Sequence, residues 1–168
     1  MTTKTRYGSA VVTLPTDTEI HITRVFDASA AALFKAWTTP ELVKQWWGYP
    51  EDEWRVCEID LRVGGGWRWV NVHRNDDGEF EVAFHGTYRE IDAPARLLYT
   101  EVFEGAPVPD PDAAGTLNEL RFVESDGVTT MSLRTQCPDQ FTRDAIIASG
   151  MEHGMQVSMD RVEDLTRG

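Results

Sequence analysis

The sequence predicts an α+β domain: a curved antiparallel sheet of about seven strands wrapped on a long C-terminal helix, with two short helices after the first strand. Three observations carry this. Between residues 54 and 136 apolar and polar side chains alternate with a period of two, as half-buried strands require. The links inside that stretch are short and rich in Gly, Asp, Asn and Pro, which makes neighbouring strands antiparallel, since a parallel crossover needs about a dozen residues or more. From Gln140 onward apolar residues recur every three or four positions, the period of an amphipathic helix.

The first strand is Glu19–Phe26, where polar and apolar residues alternate. Asp27 or Ser29 can cap a short helix from Ala30 to Trp37, with Leu33, Phe34 and Trp37 at helical spacing. Thr39-Pro40 reads as a second start, a hydroxyl cap before proline at the first helical position, and that helix carries Leu42, Val43, Trp46 and Trp47 up to Gly48. Six further strands follow: Trp54–Leu61, Trp67–Arg74, Glu79–Ile91, Leu97–Glu104, Thr116–Glu124 and Val128–Gln136. Asp77-Gly78 and Asp126-Gly127 mark hairpins between them. The terminal helix runs from about Gln140 to Leu165 with Asp139 as cap, roughly 40 Å long at 1.5 Å per residue. Gly150 and Gly154 fall inside it and each costs about 1 kcal/mol relative to alanine, so a bend or a close approach to the sheet is expected there. Residues 1–18 read as an N-terminal extension and 19–166 as one domain. A sheet curved on one long helix is the helix-grip arrangement, which leaves a cavity between the two.

Composition narrows the function. The chain has 168 residues with 16 basic and 28 acidic side chains, a net charge of -12, and so lacks the basic footprint that nucleic-acid binding needs. No apolar run approaches the ~20 residues of a membrane-spanning helix, and the first residues do not form a signal peptide. Cys57 and Cys137 are too few for a disulfide scaffold and have no zinc-ligand spacing, which fits a reduced, cytoplasmic setting. The four histidines form no metal-binding pair, and Gly64-Gly65-Gly66 opens a strand and lacks the phosphate-loop pattern. No cofactor is expected.

Several segments together resemble a known family: Phe26-Asp27-Ala28, Leu33-Phe34-Lys35-Ala36-Trp37-Thr38, Trp46-Trp47-Gly48, Gly64-Gly65-Gly66-Trp67, Gly86-Thr87-Tyr88-Arg89-Glu90-Ile91, Pro94-Ala95-Arg96-Leu97, and Gly150-Met151-Glu152-His153-Gly154-Met155. The chain is similar in these to the activator-of-heat-shock-protein-90-ATPase-like family of the SRPBCC (START-like, birch-pollen-allergen-like) superfamily. The resemblance implies the same helix-grip fold and the binding of lipids, steroids or polyketides, with cyclases among the superfamily's members. It also implies a chaperone partner of the heat-shock-protein-90 type, with no second domain expected here to support that role.

The residues expected to line a pocket are Trp46, Trp47, Trp67, Trp69, Phe84, Tyr88, Tyr99 and Phe103, an aromatic set suited to a mostly apolar ligand. Met151, Met155 and Met159 form an i, i+4, i+8 stripe that Met131 can face from the sheet, and methionine adapts to irregular ligands. His73 joins them because Trp67, Trp69, Asn71 and His73 share one strand face. Plain core packing is the competing reading for every one of these. A proline-bearing loop at 105–115 could cover the mouth, with Pro107, Pro109 and Pro111 stiffening it. Three functions follow: binding of a small hydrophobic molecule; a polyketide cyclase, aromatase or hydrolase with His73, His85 or Tyr88 moving protons; and a co-chaperone. Pairing of two copies through an edge strand or an exposed aromatic is compatible with all three.

Overall fold

The structure is a computed structural model and describes residues 6–105 and 115–167. Most of the proline-bearing loop, including Pro107, Pro109 and Pro111, lies outside the described residues. The strands are β1 (Val11–Thr13), β2 (Glu19–Phe26), β3 (Glu53–Ile59), β4 (Gly66–Asn75), β5 (Gly78–Asp92), β6 (Arg96–Phe103), β7 (Thr116–Ser125) and β8 (Val128–Gln136). The helices are α1 (Ala30–Thr38), α2 (Pro40–Trp46), α3 (Gln140–Ala148) and α4 (Met151–Thr166). One antiparallel sheet holds the strands in the order β1-β2-β8-β7-β6-β5-β4-β3. All seven expected strands are present. The eighth, β1, lies in the stretch expected to be an extension and pairs with the edge of β2, Val11 opposite Thr23. Just before it, the Ala10 backbone is held to α4 at both polar atoms: Gln156 Nε2 donates to its oxygen at 2.7 Å and its N–H donates to Gln156 Oε1 at 3.2 Å.

The sheet order explains the helices' placement. β2 lies at one side and β3 at the opposite edge, so α1 and α2 carry the chain across the sheet. Ser29 is the residue that caps α1, accepting from Ala32 N–H at 3.1 Å. Thr39 precedes Pro40 as expected but makes no side-chain cap bond, leaving proline's missing N–H as the local reason for the start. The Ser125↔Val128 pair closes on Asp126 and Gly127, both with positive φ, the conformation that a tight hairpin asks of Asp-Gly.

The C-terminal helix is broken. Asp139 caps α3, accepting from Thr142 N–H at 2.7 Å, and the helix closes at Ser149, whose N–H reaches both the Ala145 and Ile146 carbonyls. Gly150 then takes φ +81°, a left-handed conformation open to glycine, and α4 starts in a new direction. Behind α4 lies one core of Phe26, Leu33, Trp37, Leu97, Leu120, Phe122, Met131, Met159 and Val162. Each such side chain stabilises the fold by about 1.5–3 kcal/mol relative to exposure. A buried ion pair fixes the helix in place: Arg24 on β2 reaches Asp160 and Glu163 of α4 at 3.1 Å each, with its guanidinium 4.7 Å over the Phe26 ring.

Candidate functional site

The inner face of β3–β6 carries a continuous array of rings. Register sets Trp69 opposite Phe84, Phe84 opposite Phe103, and Tyr88 opposite Tyr99, so aromatic residues from β4, β5 and β6 share one surface. Centroids run Tyr88–Tyr99 6.4 Å, Tyr99–Trp67 6.0 Å, Trp67–Trp69 5.0 Å, Trp69–Trp47 5.6 Å, Trp47–Phe84 5.7 Å and Phe84–Phe103 5.2 Å. Trp46 joins through Trp69 at 6.1 Å, but it is buried and donates its Nε1–H to the Ala36 carbonyl at 2.8 Å, so it serves the core. All eight aromatic residues expected in a pocket thus belong to one network. Gly86 is what permits the close approach in its middle. A Cβ there would fall 1.8 Å from the Thr100 carbonyl oxygen and 2.5 Å from Trp67 Nε1.

A carboxyl stands in this aromatic surface. Tyr99, Glu101 and Phe103 are successive inward positions of β6, and Glu101 is half-buried. Burial alone pushes its carboxyl from 4.5 up to about 7. Neither it nor the Tyr88 and Tyr99 hydroxyls is hydrogen-bonded by any described residue. Burial also raises both phenols, that of Tyr99 further under the fields of Glu101 and Tyr88. Chemically, the arrangement offers flat apolar walls, two neutral phenols and a carboxyl able to hold or release a proton near neutrality. Sequence reading missed Glu101 because acidic strand residues usually face water; its place between two inward aromatic residues was the available signal.

The polar atoms of β4 complete the inner face. Trp67 Nε1, Trp69 Nε1 and both amide atoms of Asn71 are buried without a partner among the described residues. Each such atom costs about 1–3 kcal/mol, and unsatisfied groups gather where water or a ligand is accommodated. Trp67 Nε1 is turned against Gly86, and Asn71 lies under Gly48 (φ +79°), where an added Cβ would fall 2.7 Å from the Asn71 Nδ2. His73, at the end of the same row, leaves the aromatic array: its Nδ1 is 2.6 Å from Asp52 Oδ1, with the Tyr49 ring at 5.1 Å.

The methionines divide. Met131 and Met159 are buried in the core, whereas Met151 and Met155 are half-buried against its margin. His85 is on the other face of the sheet. There Glu104 binds Arg68 through both oxygens at 2.9 Å and His85 Nδ1 at 3.0 Å. Two open clefts of about 450 and 420 Å³ flank His85, one against Glu58, Asp60 and Arg68, the other against Thr87, Arg89 and Thr100. Cys57 lies half-buried with its thiol pushed up to about 11, mainly by burial, which leaves it a poor nucleophile.

This fold recurs in known proteins. Residues 27–167 match the family described as activator of Hsp90 ATPase homolog 1-like protein. The chain belongs to that family. Through it the chain is a member of the SRPBCC superfamily. Crystal structures of a Rhodobacter sphaeroides protein and of protein Ms6760 from Mycobacterium smegmatis each superpose with a TM-score of 0.79 at 21% identity. They cover 93% of this chain and 97% and 96% of their own lengths. DynU16, a putative protein in the dynemicin biosynthetic locus, superposes with a TM-score of 0.62 at 17% identity over 89% of this chain and 47% of its own. These likenesses establish the shared helix-grip fold. Among curated proteins none matches the sequence.

Proposed function

We propose that this protein binds a small, mostly aromatic or apolar molecule against the aromatic inner face of the sheet, on the side covered by α4. The observation that supports the reading is the ring array from Tyr88 to Phe103, interrupted by polar groups that no described residue engages. A core built only for stability would pair or exclude those groups. The half-buried Met151 and Met155 at the margin suit a mouth that adapts to its ligand.

A thermal-shift screen against steroids, fatty acids, flavonoids and polycyclic aromatics tests this. A ligand at 100 times its Kd stabilises the fold by about 2.7 kcal/mol. The midpoint then rises by roughly 5–10 °C. Phe103 is 41% exposed, so Phe103→Ala removes part of the wall at small cost to folding and should weaken the same ligand severalfold. No shift with any class would overturn the reading.

A second reading, transformation of the bound molecule, is favoured by Glu101 alone, a carboxyl that can exchange a proton near pH 7 beside two phenols. DynU16's biosynthetic locus is in keeping with it. Turnover of a ligand found in the screen, lost in Glu101→Gln with binding retained, is the result that would establish it.

A further inference from the structure

We propose that the aromatic inner face selects ligands that carry a protonated amine on an aromatic or apolar body, with the Glu101 carboxylate as the counter-ion and the rings of Trp67, Tyr99 and Phe103 around the ammonium group. The inference rests on the binding reading above and names the ligand class.

Among the described residues no cation stands beside Glu101, and its surroundings show why. On one side the register of His85 with Val102 and Tyr88 with Tyr99 sets Gly86, which has no side chain, across from Glu101. On the other side Glu101 pairs with Thr116, whose hydroxyl is spent on the Glu101 backbone carbonyl at 3.4 Å and on Asn118 Nδ2 at 3.0 Å. Along its own strand the neighbours are Tyr99 and Phe103. The inner face does hold basic groups, but they are committed: Arg24 to Asp160 and Glu163, and Arg161 of α4 to the Gly48 carbonyl. Burial raises Glu101's titration, and no described positive side chain stands close enough to offset it.

An aromatic wall with a single unpaired carboxylate suits one chemistry best. Ring faces attract an ammonium through their quadrupoles, most strongly for Trp and most of all when water is excluded. A carboxylate pushed out of its ordinary range by burial regains its charge when a cation arrives. The net charge of -12 steers cations toward the protein as well, though it gives no preference for this face. The titratable groups that share the site are Tyr88 and Tyr99, both held un-ionised across neutral pH.

The test is a matched set of probes: naphthylmethylamine, naphthylmethanol and naphthylacetate, titrated calorimetrically into the full chain at pH 8. The expected result is amine binding at least tenfold tighter than the alcohol, with the acetate weakest. Since the carboxyl titrates at about 7, amine affinity should fall about tenfold between pH 8 and pH 6 while alcohol affinity stays level. Glu101→Gln, nearly isosteric, should abolish both the preference and the pH dependence and leave alcohol binding in place. Equal binding of amine and alcohol would overturn the inference and leave the apolar-ligand reading standing. An amine preference unchanged in Glu101→Gln would overturn it too, by assigning the effect to the overall charge. No binding of any of the three probes would overturn it, and failure of the wider screen as well would remove the reading beneath it.

Discussion

The concave face treats charge in two opposite ways. Near the end of α4, the Arg24 side chain is fully buried and meets Glu163, 1% exposed, and Asp160, in a compact cluster backed by Phe26. Toward the aromatic end, Glu101 is also drawn into the protein but has no cation beside it among the described residues. Both arrangements carry a desolvation cost. In the first, two ion pairs within the chain offset most of it, leaving Arg24 Nε and Glu163 Oε2 without a hydrogen-bond partner among the described residues, and they attach helix to sheet. In the second it is left open, as expected where the offsetting partner comes from outside. The difference separates a part of the inner face that holds the fold from the part where we propose that a ligand binds.

The comparison breaks most visibly at Arg24. Arg24→Met leaves Glu163 buried without its partner, and removing one member of a buried pair costs about 3–5 kcal/mol. The denaturation midpoint should fall by roughly 10 °C or more. Pairing the change with Glu163→Leu should restore much of the loss, because two apolar side chains can replace a buried ion pair. Thermal denaturation of the single and double variants checks this. A double variant as unstable as Arg24→Met would mean that the site depends on packing around the guanidinium and owes little to its charge.

How much of this was legible follows the range of each interaction. Strands β2 to β8 could be read because alternation is a local property, visible in windows such as Glu19–Phe26 and Val128–Gln136. With three residues, β1 is too short to show a period; it is a strand because β2 offers an open edge. The glycines in the last segment signalled a disturbance, yet only the φ of Gly150 distinguishes a true break, whereas Gly154 stays helical with Tyr49 Oη 3.6 Å from where its Cβ would be. The aromatic set was legible since large rings at one parity of adjacent strands must meet. His73 had the right parity, but the Asp52 loop that draws it away is 21 residues distant in sequence. Arg24 with Glu163, 139 residues apart, had no local sign at all.

Glu101 sharpens the comparison through pH. Its carboxyl goes from 4.5 in the unfolded chain to about 7 when folded, so between these values the folded state holds the extra proton. Stability therefore falls as pH rises from 4.5 to 7 and levels off above. The total is on the order of 3 kcal/mol. Glu101→Gln should remove this contribution and be more stable than the parent at pH 8, with little difference at pH 4. Denaturant titrations of both proteins at several pH values read it directly. A variant less stable than the parent at pH 8 would show that the carboxylate is satisfied after all.

The smallest effect belongs to the other glutamate of this strand end, and its sign is reversed. Glu104 lies three positions on, against the outer face, where the Arg68 guanidinium, then His85, hold its carboxyl down at about 2. A depressed carboxyl contributes stability above its unfolded value of 4.5 and loses it as pH falls toward 2. Arg68 is 44% exposed, so solvent screens the pair and its worth stays below about 1 kcal/mol. Glu104→Gln should thus weaken the fold slightly at pH 8, where Glu101→Gln strengthens it. Added salt separates the two further: an exposed pair loses most of its effect above about 0.5 M, since the Debye length is then only a few ångströms. The desolvation of Glu101 should hardly respond. If both variants moved in the same direction, or both effects vanished in salt, the two sides of the sheet would not differ in the way their contacts require.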